Sequence, residues 1–131
     1  VSRNPQQELG WTAVKRSASV SNRYFQPPSE IQVMQWHSET FEIPKGAVRL
    51  AENQICTNQM YQIGENVLGF QFHPEITPQV LKSFIENEEH EKQFSAHFKS
   101  QIEILKKSKK QQFEAGNMLL NSAIDYVLRE K

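Results

Sequence analysis

The sequence predicts an α/β fold in which strands come first and covering helices follow. Turn-forming residues are spread unevenly over the 131 residues: all six prolines lie at or before Pro78, together with four of the five glycines. Beyond Pro78 only Gly116 interrupts the chain, and apolar residues recur there at steps of three and four. The earlier part instead holds short runs of β-branched and aromatic residues. The first pattern is typical of amphipathic helices and the second of strands.

Five strands are predicted in the first part, each bounded by turn-forming residues. Pro44–Gly46 and Gly64–Asn66 supply two turns, and the second is expected to be the loop of an antiparallel hairpin. Val67–Phe70 is almost continuously apolar, as in a strand that is covered on both faces. The predicted strands are Leu9–Val14, Ile31–His37, Ala47–Glu52, Gln54–Gln62 and Val67–His73.

Three helices are predicted after the strands. Thr77 is a good N-cap residue and Pro78 suits the first helical position. The longer helices that follow each carry one apolar stripe. The stripes comprise Phe94, Phe98, Ile102 and Leu105 in the second helix, and Leu120, Ala123, Ile124, Val127 and Leu128 in the third.

Charge and cysteine content exclude several classes of partner. The 15 Lys and Arg residues are balanced by 15 Asp and Glu, so the sequence lacks the basic footprint of nucleic-acid or anionic-membrane binding. No apolar stretch approaches the roughly 20 residues of a membrane span, and the N-terminus has no signal pattern. A lone cysteine, Cys56, excludes an internal disulfide and fits a reducing, cytoplasmic compartment. We expect no metal and no cofactor.

The segment His73-Pro74-Glu75 is the most informative for chemistry. Residues two apart in an extended chain point the same way, so His73 and Glu75 can share one face. Pro74 keeps the preceding residue extended and ends the strand. The carboxyl end of a strand is where open α/β sheets place their sites. A histidine oriented by a carboxylate is two thirds of a nucleophilic triad. Taken alone, the residues also fit a strand-end pair that only stabilises the fold.

The strings GFQFHPEIT (Gly69–Thr77), QWHSETFEIPKGAVRLAENQICTNQMYQIG (Gln35–Gly64) and ELGW (Glu8–Trp11) occur in this order. Together they resemble the C-terminal half of class I glutamine amidotransferase domains, in particular the GMP-synthase-like branch. The resemblance runs from about Asn4 to Thr77, which makes it more specific than a short motif. It implies an α/β fold with a mixed sheet. Residues 1–77 would form the C-terminal part of the α/β core, and residues 78–131 the C-terminal helical segment of the same domain.

The resemblance implies a Cys-His-Glu triad in which His73 is the base and Glu75 its orienting carboxylate. The family chemistry is attack of a cysteine thiolate on the carboxamide of glutamine, which gives a glutamyl thioester and ammonia. Ammonia then passes to a synthase domain or subunit. The resemblance also makes Trp36, His37 and Ser38 candidate substrate-binding residues, although His37 equally fits a plain strand-end role. Glu39 and Thr40 could brace this loop, but a helix or turn cap is the simpler interpretation.

The nucleophile of the family lies in a Gly-x-Cys-x-Gly elbow, which this chain lacks. Since the chain begins at Val1 rather than Met, we expect the missing N-terminal half of the domain to lie upstream. Cys56 lies in a predicted strand without flanking glycines, so a buried structural role is expected. The sequence therefore predicts a glutamine amidotransferase whose residues 1–131 are inactive alone. The alternatives are a non-catalytic module with a structural or regulatory role, and a γ-glutamyl peptide hydrolase of the same superfamily.

Overall fold

The computed structural model describes residues 1–18, 20–89 and 96–129. Strands precede helices in these residues, as the sequence predicts. No helix in these ranges is long and apolar enough to cross a membrane. The elements are β1 (Ser2–Arg16), β2 (Glu30–Thr40), β3 (Ala47–Glu52), β4 (Met60–Ile63), β5 (Val67–Phe70), α1 (Pro78–Glu89), α2 (Ala96–Lys106) and α3 (Lys110–Leu128).

The strands form one five-stranded sheet in the order β2-β1-β3-β4-β5. Each neighbouring pair in these ranges is antiparallel. The long strands β1 and β2 pair along most of their length, with a bulge between Arg3 and Glu8. The end of β1 then pairs with β3 through Lys15 and Arg16. Lys15 therefore has register partners on both sides, Glu30 of β2 and Glu52 of β3.

The two predicted turns are present. Ala47 donates its backbone N–H to the Pro44 carbonyl at 2.9 Å, and Gly46 has φ +84°, a conformation that favours glycine at this place in the turn. Gly64, with φ +58°, lies in the loop that joins β4 and β5 as an antiparallel hairpin. The hairpin prediction is confirmed.

Several details of the strand prediction are wrong. β1 begins at Ser2 rather than at Leu9. Residues 53–59 form a loop, so the predicted strand Gln54–Gln62 begins only at Met60. Side-chain bonds to nearby backbone compete with a strand here: the Asn53 side chain accepts the Cys56 N–H at 2.8 Å. β5 ends at Phe70 and lies at the sheet edge, which leaves Val67 49% exposed rather than covered on both faces.

Two apolar clusters cover the opposite faces of β2. Val33 belongs to a cluster with Leu50, Met60 and Leu119 of α3. Met34, the next residue, belongs to a cluster with residues of all three helices. Neighbouring residues of a strand point to opposite faces, so β2 is buried on both sides. The described members of the second cluster are Met34, Ile76, Leu81, Ile85, Ile102, Leu105 and Phe113.

Thr77 caps α1 as predicted, since its hydroxyl accepts the Val80 N–H at 3.2 Å. In the second helix Ile102 and Leu105 are buried, whereas Phe94 lies outside the described residues. The predicted stripe of α3 is partly wrong. Ala123 is buried, but Leu128 is 76% exposed. The buried residues of α3 lie nearer to its N-terminus than the predicted stripe does. These buried residues are Phe113, Gly116, Leu119 and Ala123.

Candidate active site

His73 and Glu75 lie just beyond β5 and contact each other. His73 Nδ1 is 2.7 Å from Glu75 Oε1. An ionised carboxylate only accepts hydrogen bonds, so this contact places a proton on Nδ1 and leaves the lone pair on Nε2. Nε2 lies 3.4 Å from the Trp36 carbonyl oxygen, too far for a strong hydrogen bond. The arrangement therefore provides a basic nitrogen whose tautomer is fixed by a glutamate.

Backbone and aromatic contacts hold the imidazole in place. His73 donates its backbone N–H to the Met34 carbonyl at 2.9 Å, which ties the end of β5 to β2. The ring packs edge-on against Phe84 of α1, with 5.6 Å between ring centroids. Phe84 in turn packs edge-on against Trp36, also at 5.6 Å. The site is thus built where β2, the end of β5 and α1 meet.

An open cavity of about 430 Å³ lies beside His73. The predicted substrate-binding residues Trp36, His37 and Ser38 line it together with His73, so the structure brings all four to one place. Trp36 is half-buried, while Ser38 is exposed. Their role in substrate binding stays a prediction. Further lining residues are Val1, Glu39, Thr40, Phe41, Phe70 and Gln71.

His37 does not end its strand, because β2 continues to Thr40. The interpretation of Glu39 and Thr40 as caps of a helix or turn is wrong for the same reason. Glu39 pairs with Arg3 of β1, and its carbonyl oxygen lies 2.9 Å from His37 Nδ1. The three residues therefore extend the sheet along the edge of the cavity.

A buried polar network surrounds Glu8 beneath this edge. Glu8 Oε1 lies 2.9 Å from His37 Nε2 and accepts a bond from Gln59 Nε2, also at 2.9 Å. Glu8 Oε2 accepts a bond from Asn53 Nδ2 at 2.8 Å. Burial raises the pKa of the Glu8 carboxyl, but these hydrogen bonds and the charge of His37 outweigh it, so the pKa lies below its usual value. Glu8 is therefore held as a carboxylate inside the protein.

Cys56 lies in the loop before β4, not in a strand, and is 1% exposed. Its Sγ is 3.2 Å from the Thr40 hydroxyl. Burial and the charge of Glu8 raise the pKa of the thiol, which lowers the fraction of reactive thiolate. The environment of Cys56 is that of a structural thiol.

Glu8, His37 and Cys56 offer ligand atoms that all lie within 4.8 Å of one another. A zinc ion takes such ligands when their lone pairs are free. Here both Glu8 oxygens accept hydrogen bonds, from Asn53 and Gln59 as well as from His37. We interpret the cluster as a hydrogen-bonded network rather than a metal centre.

Sequence reasoning missed Glu8, Asn53, Gln59 and Asn117 as residues that shape the site. One signal was present: Glu8 precedes Leu9 and Trp11 within an apolar run, and a charge there requires a buried partner. For Asn117 the sequence holds no comparable signal, because its partners Pro74 and Ile76 lie in a distant loop.

Two solved structures share this fold. A glutamine amidotransferase from Thermotoga maritima superimposes with a TM-score of 0.68 and 24% identity, over 98% of this chain and 54% of its own. A glutamine amido transferase from Methylobacillus flagellatus superimposes with a TM-score of 0.69 and 19% identity, over 99% of this chain and 57% of its own. The strands and helices of this chain therefore have the same fold as these two proteins.

The sequence profile of the family "Glutamine amidotransferase class-I" matches residues 1–93. This chain therefore belongs to the class I glutamine amidotransferase family. The match includes β1 to β5 and the dyad formed by His73 and Glu75, and it ends shortly after α1.

Curated relatives show two activities in their names. A GMP synthase [glutamine-hydrolyzing] of Borreliella burgdorferi (strain N40) is 29% identical over 91 residues, which are 65% of this chain and 18% of that protein. Gamma-glutamyl peptidase 4 of Arabidopsis thaliana is 29% identical over 87 residues, 64% of this chain and 35% of its own. The chain thus spans about a third or less of these relatives.

Proposed function

We propose that the protein to which this chain belongs hydrolyses the side-chain amide of glutamine, with His73 as base and Glu75 as its orienting carboxylate. The contact of 2.7 Å between His73 Nδ1 and Glu75 Oε1 carries the proposal. It leaves Nε2 as the nitrogen that can take a proton, in a residue that borders the cavity. Family membership supports the reaction class.

In the proposed reaction a cysteine from outside residues 1–131 supplies the nucleophile. His73 Nε2 takes the thiol proton, and the thiolate attacks the amide carbon of glutamine. The tetrahedral intermediate collapses, the C–N bond breaks, and the proton on His73 passes to departing ammonia. Water, deprotonated by the same nitrogen, then hydrolyses the thioester to glutamate and restores the thiol. Glu75 stabilises the imidazolium that forms twice in this cycle.

The C-terminal part of β2 is proposed to hold the substrate. Trp36, His37 and Ser38 line the same cavity as His73, and the exposed Ser38 is proposed to bind the α-amino and α-carboxylate groups of glutamine. We further propose that residues 1–77 belong to the core of the domain and residues 78–131 to its helical end. An N-terminal half would supply the cysteine, and a synthase domain or subunit would accept the ammonia.

The test uses a protein extended upstream to include the elbow cysteine, assayed for glutamate and ammonia released from glutamine. His73→Ala is expected to lower turnover by at least about a hundredfold, because general-base catalysis contributes that much or more. His97→Ala, at an exposed histidine of α2, is the matched control and is expected to stay active. Full activity of His73→Ala would contradict the proposal.

A second candidate is hydrolysis of γ-glutamyl peptides, which the likeness to gamma-glutamyl peptidase 4 of Arabidopsis thaliana favours. Both substrates present a γ-glutamyl carbonyl to the same dyad, so the leaving group decides between them. Parallel assays with glutamine and a γ-glutamyl dipeptide measure this preference. A well-folded extended protein that turns over neither substrate would support a non-catalytic module.

A further inference from the structure

Helix α3 contacts the loop that carries the dyad through one side-chain amide. Asn117 Nδ2 donates to the Pro74 carbonyl at 2.9 Å and to the Ile76 carbonyl at 2.9 Å. A carboxamide NH₂ group has two protons, one for each acceptor. The two acceptors belong to the residues on either side of Glu75. Asn117 therefore fixes the backbone of Glu75 from both sides.

The position of the Glu75 carboxylate depends on this backbone. The Glu75 side chain is 49% exposed, so packing alone does not define its orientation, whereas Pro74 and Ile76 are buried. Proline also lacks a backbone N–H with which to anchor the loop. The orientation of the Glu75 side chain towards His73 therefore depends on the positions of the two flanking carbonyls, which Asn117 holds.

Gly116 makes the close approach of α3 possible. A Cβ atom at this position would lie 3.5 Å from both Cα and the carbonyl oxygen of Pro74. A methyl group just fits at this distance, and a larger side chain would push the helix away from the loop. The neighbouring Asn117 needs this short separation to reach the Pro74 and Ile76 carbonyls.

We infer that Asn117 is a positioning residue: it holds Glu75 where its carboxylate selects the Nδ1-protonated tautomer of His73. The effect on catalysis rests on the proposed function, but the effect on the imidazole tautomer does not. Asn117 does not line the cavity beside His73, and its side chain acts through the Pro74 and Ile76 carbonyls. The two effects can therefore be measured separately.

The first experiment measures the His73 tautomer by long-range ¹H–¹⁵N NMR correlation in the 131-residue chain. The wild type is expected to show a protonated Nδ1, and Asn117→Ala a mixture of both tautomers. Asn121→Ala is the matched control, since this asparagine is exposed one turn further along α3. If Asn117→Ala lowers the melting temperature but leaves the tautomer of the wild type, Asn117 is only structural and the inference is overturned.

The second experiment measures kcat and KM for glutamine in the extended protein. Asn117→Ala is expected to lower kcat about tenfold, a part of the full contribution of an oriented base, with KM within about twofold. Asn117→Ser keeps one donor and is expected to recover part of the loss. Unchanged kcat in Asn117→Ala would contradict the inference.

The two experiments separate the proposals. If the extended wild-type protein fails to hydrolyse glutamine, the proposed function fails while the NMR result still decides the role of Asn117. Should Asn117→Ala not fold, Asn117→Leu, which is similar in size but has no donor, supplies the same NMR comparison. A wild-type tautomer in a folded Asn117→Leu chain, with wild-type kcat, would then overturn the inference.

Discussion

His37 Nε2 lies 2.9 Å from Glu8 Oε1, and the two residues face each other as register partners of β1 and β2. The Glu8 side chain is inaccessible to solvent and that of His37 is 8% exposed. Nδ1 of the same ring faces the Glu39 carbonyl oxygen at 2.9 Å. Both ring nitrogens of His37 therefore face acceptor oxygens. The edge of the cavity is held by a buried hydrogen bond between His37 and the Glu8 carboxylate.

Replacing Glu8 by Gln is expected to lower the free energy of unfolding by about 2–4 kcal/mol. The change removes the carboxylate that contacts the His37 ring, and the new amide NH₂ faces the donors Asn53 and Gln59. Urea denaturation followed by circular dichroism measures the loss. Glu114→Gln, at an exposed position of α3, is the control and is expected to change stability by less than about 0.5 kcal/mol. Equal losses of stability in the two variants would contradict a stabilising role of the buried network around Glu8.

The contribution of Glu8 to stability is expected to vanish in acid. Its pKa in the fold lies below the usual 4.5, so the unfolded chain takes up the proton first as the pH falls. The stabilisation is complete above the unfolded value and is lost as the pH falls through the folded value. The free energy of unfolding of the wild type and of Glu8→Gln is measured from about pH 5 to about pH 3. The difference in free energy between the two proteins should become smaller as the pH falls. A constant difference would show that Glu8 is not ionised in the fold.

Much of the fold could be predicted because its signals are local. The turn at Gly64, the start of α1 at Pro78 and the cap at Thr77 each depend on residues within a few positions of one another. The dyad could be predicted for the same reason, since His73 and Glu75 are only two positions apart.

The partners of Glu8 could not be predicted, because no local pattern indicates which residues meet its carboxylate. His37, Asn53 and Gln59 lie 29, 45 and 51 positions from Glu8 and meet it only when the sheet has formed. The same contacts explain why residues 54–59 of the predicted strand Gln54–Gln62 form a loop. The intrinsic β-propensity of Ile55 and Cys56 loses to the hydrogen bonds that Asn53 and Gln59 make inside the fold.

Gly69→Ala is expected to destabilise the β4–β5 hairpin by about 1–3 kcal/mol, the usual cost of overpacking. Gly69 faces Tyr61 across the two strands, and a Cβ atom there would overlap the Tyr61 ring. Thermal unfolding measures the loss. The double variant Gly69→Ala with Tyr61→Ala is expected to recover part of it, since the clashing ring is removed. If the single variant matches the wild type, Tyr61 can leave the face of Gly69 at no cost.

Cys56 is expected to resist alkylation in the folded protein. Its thiol is 1% exposed, and burial and the charge of Glu8 raise its pKa, so both access and thiolate fraction oppose reaction. Iodoacetamide labelling followed by mass spectrometry should be more than about tenfold slower in buffer than in urea. In the extended protein Cys56→Ala should still hydrolyse glutamine, because the proposed nucleophile lies elsewhere. Rapid labelling of the folded chain, or turnover that disappears with Cys56, would instead make this cysteine the partner of His73.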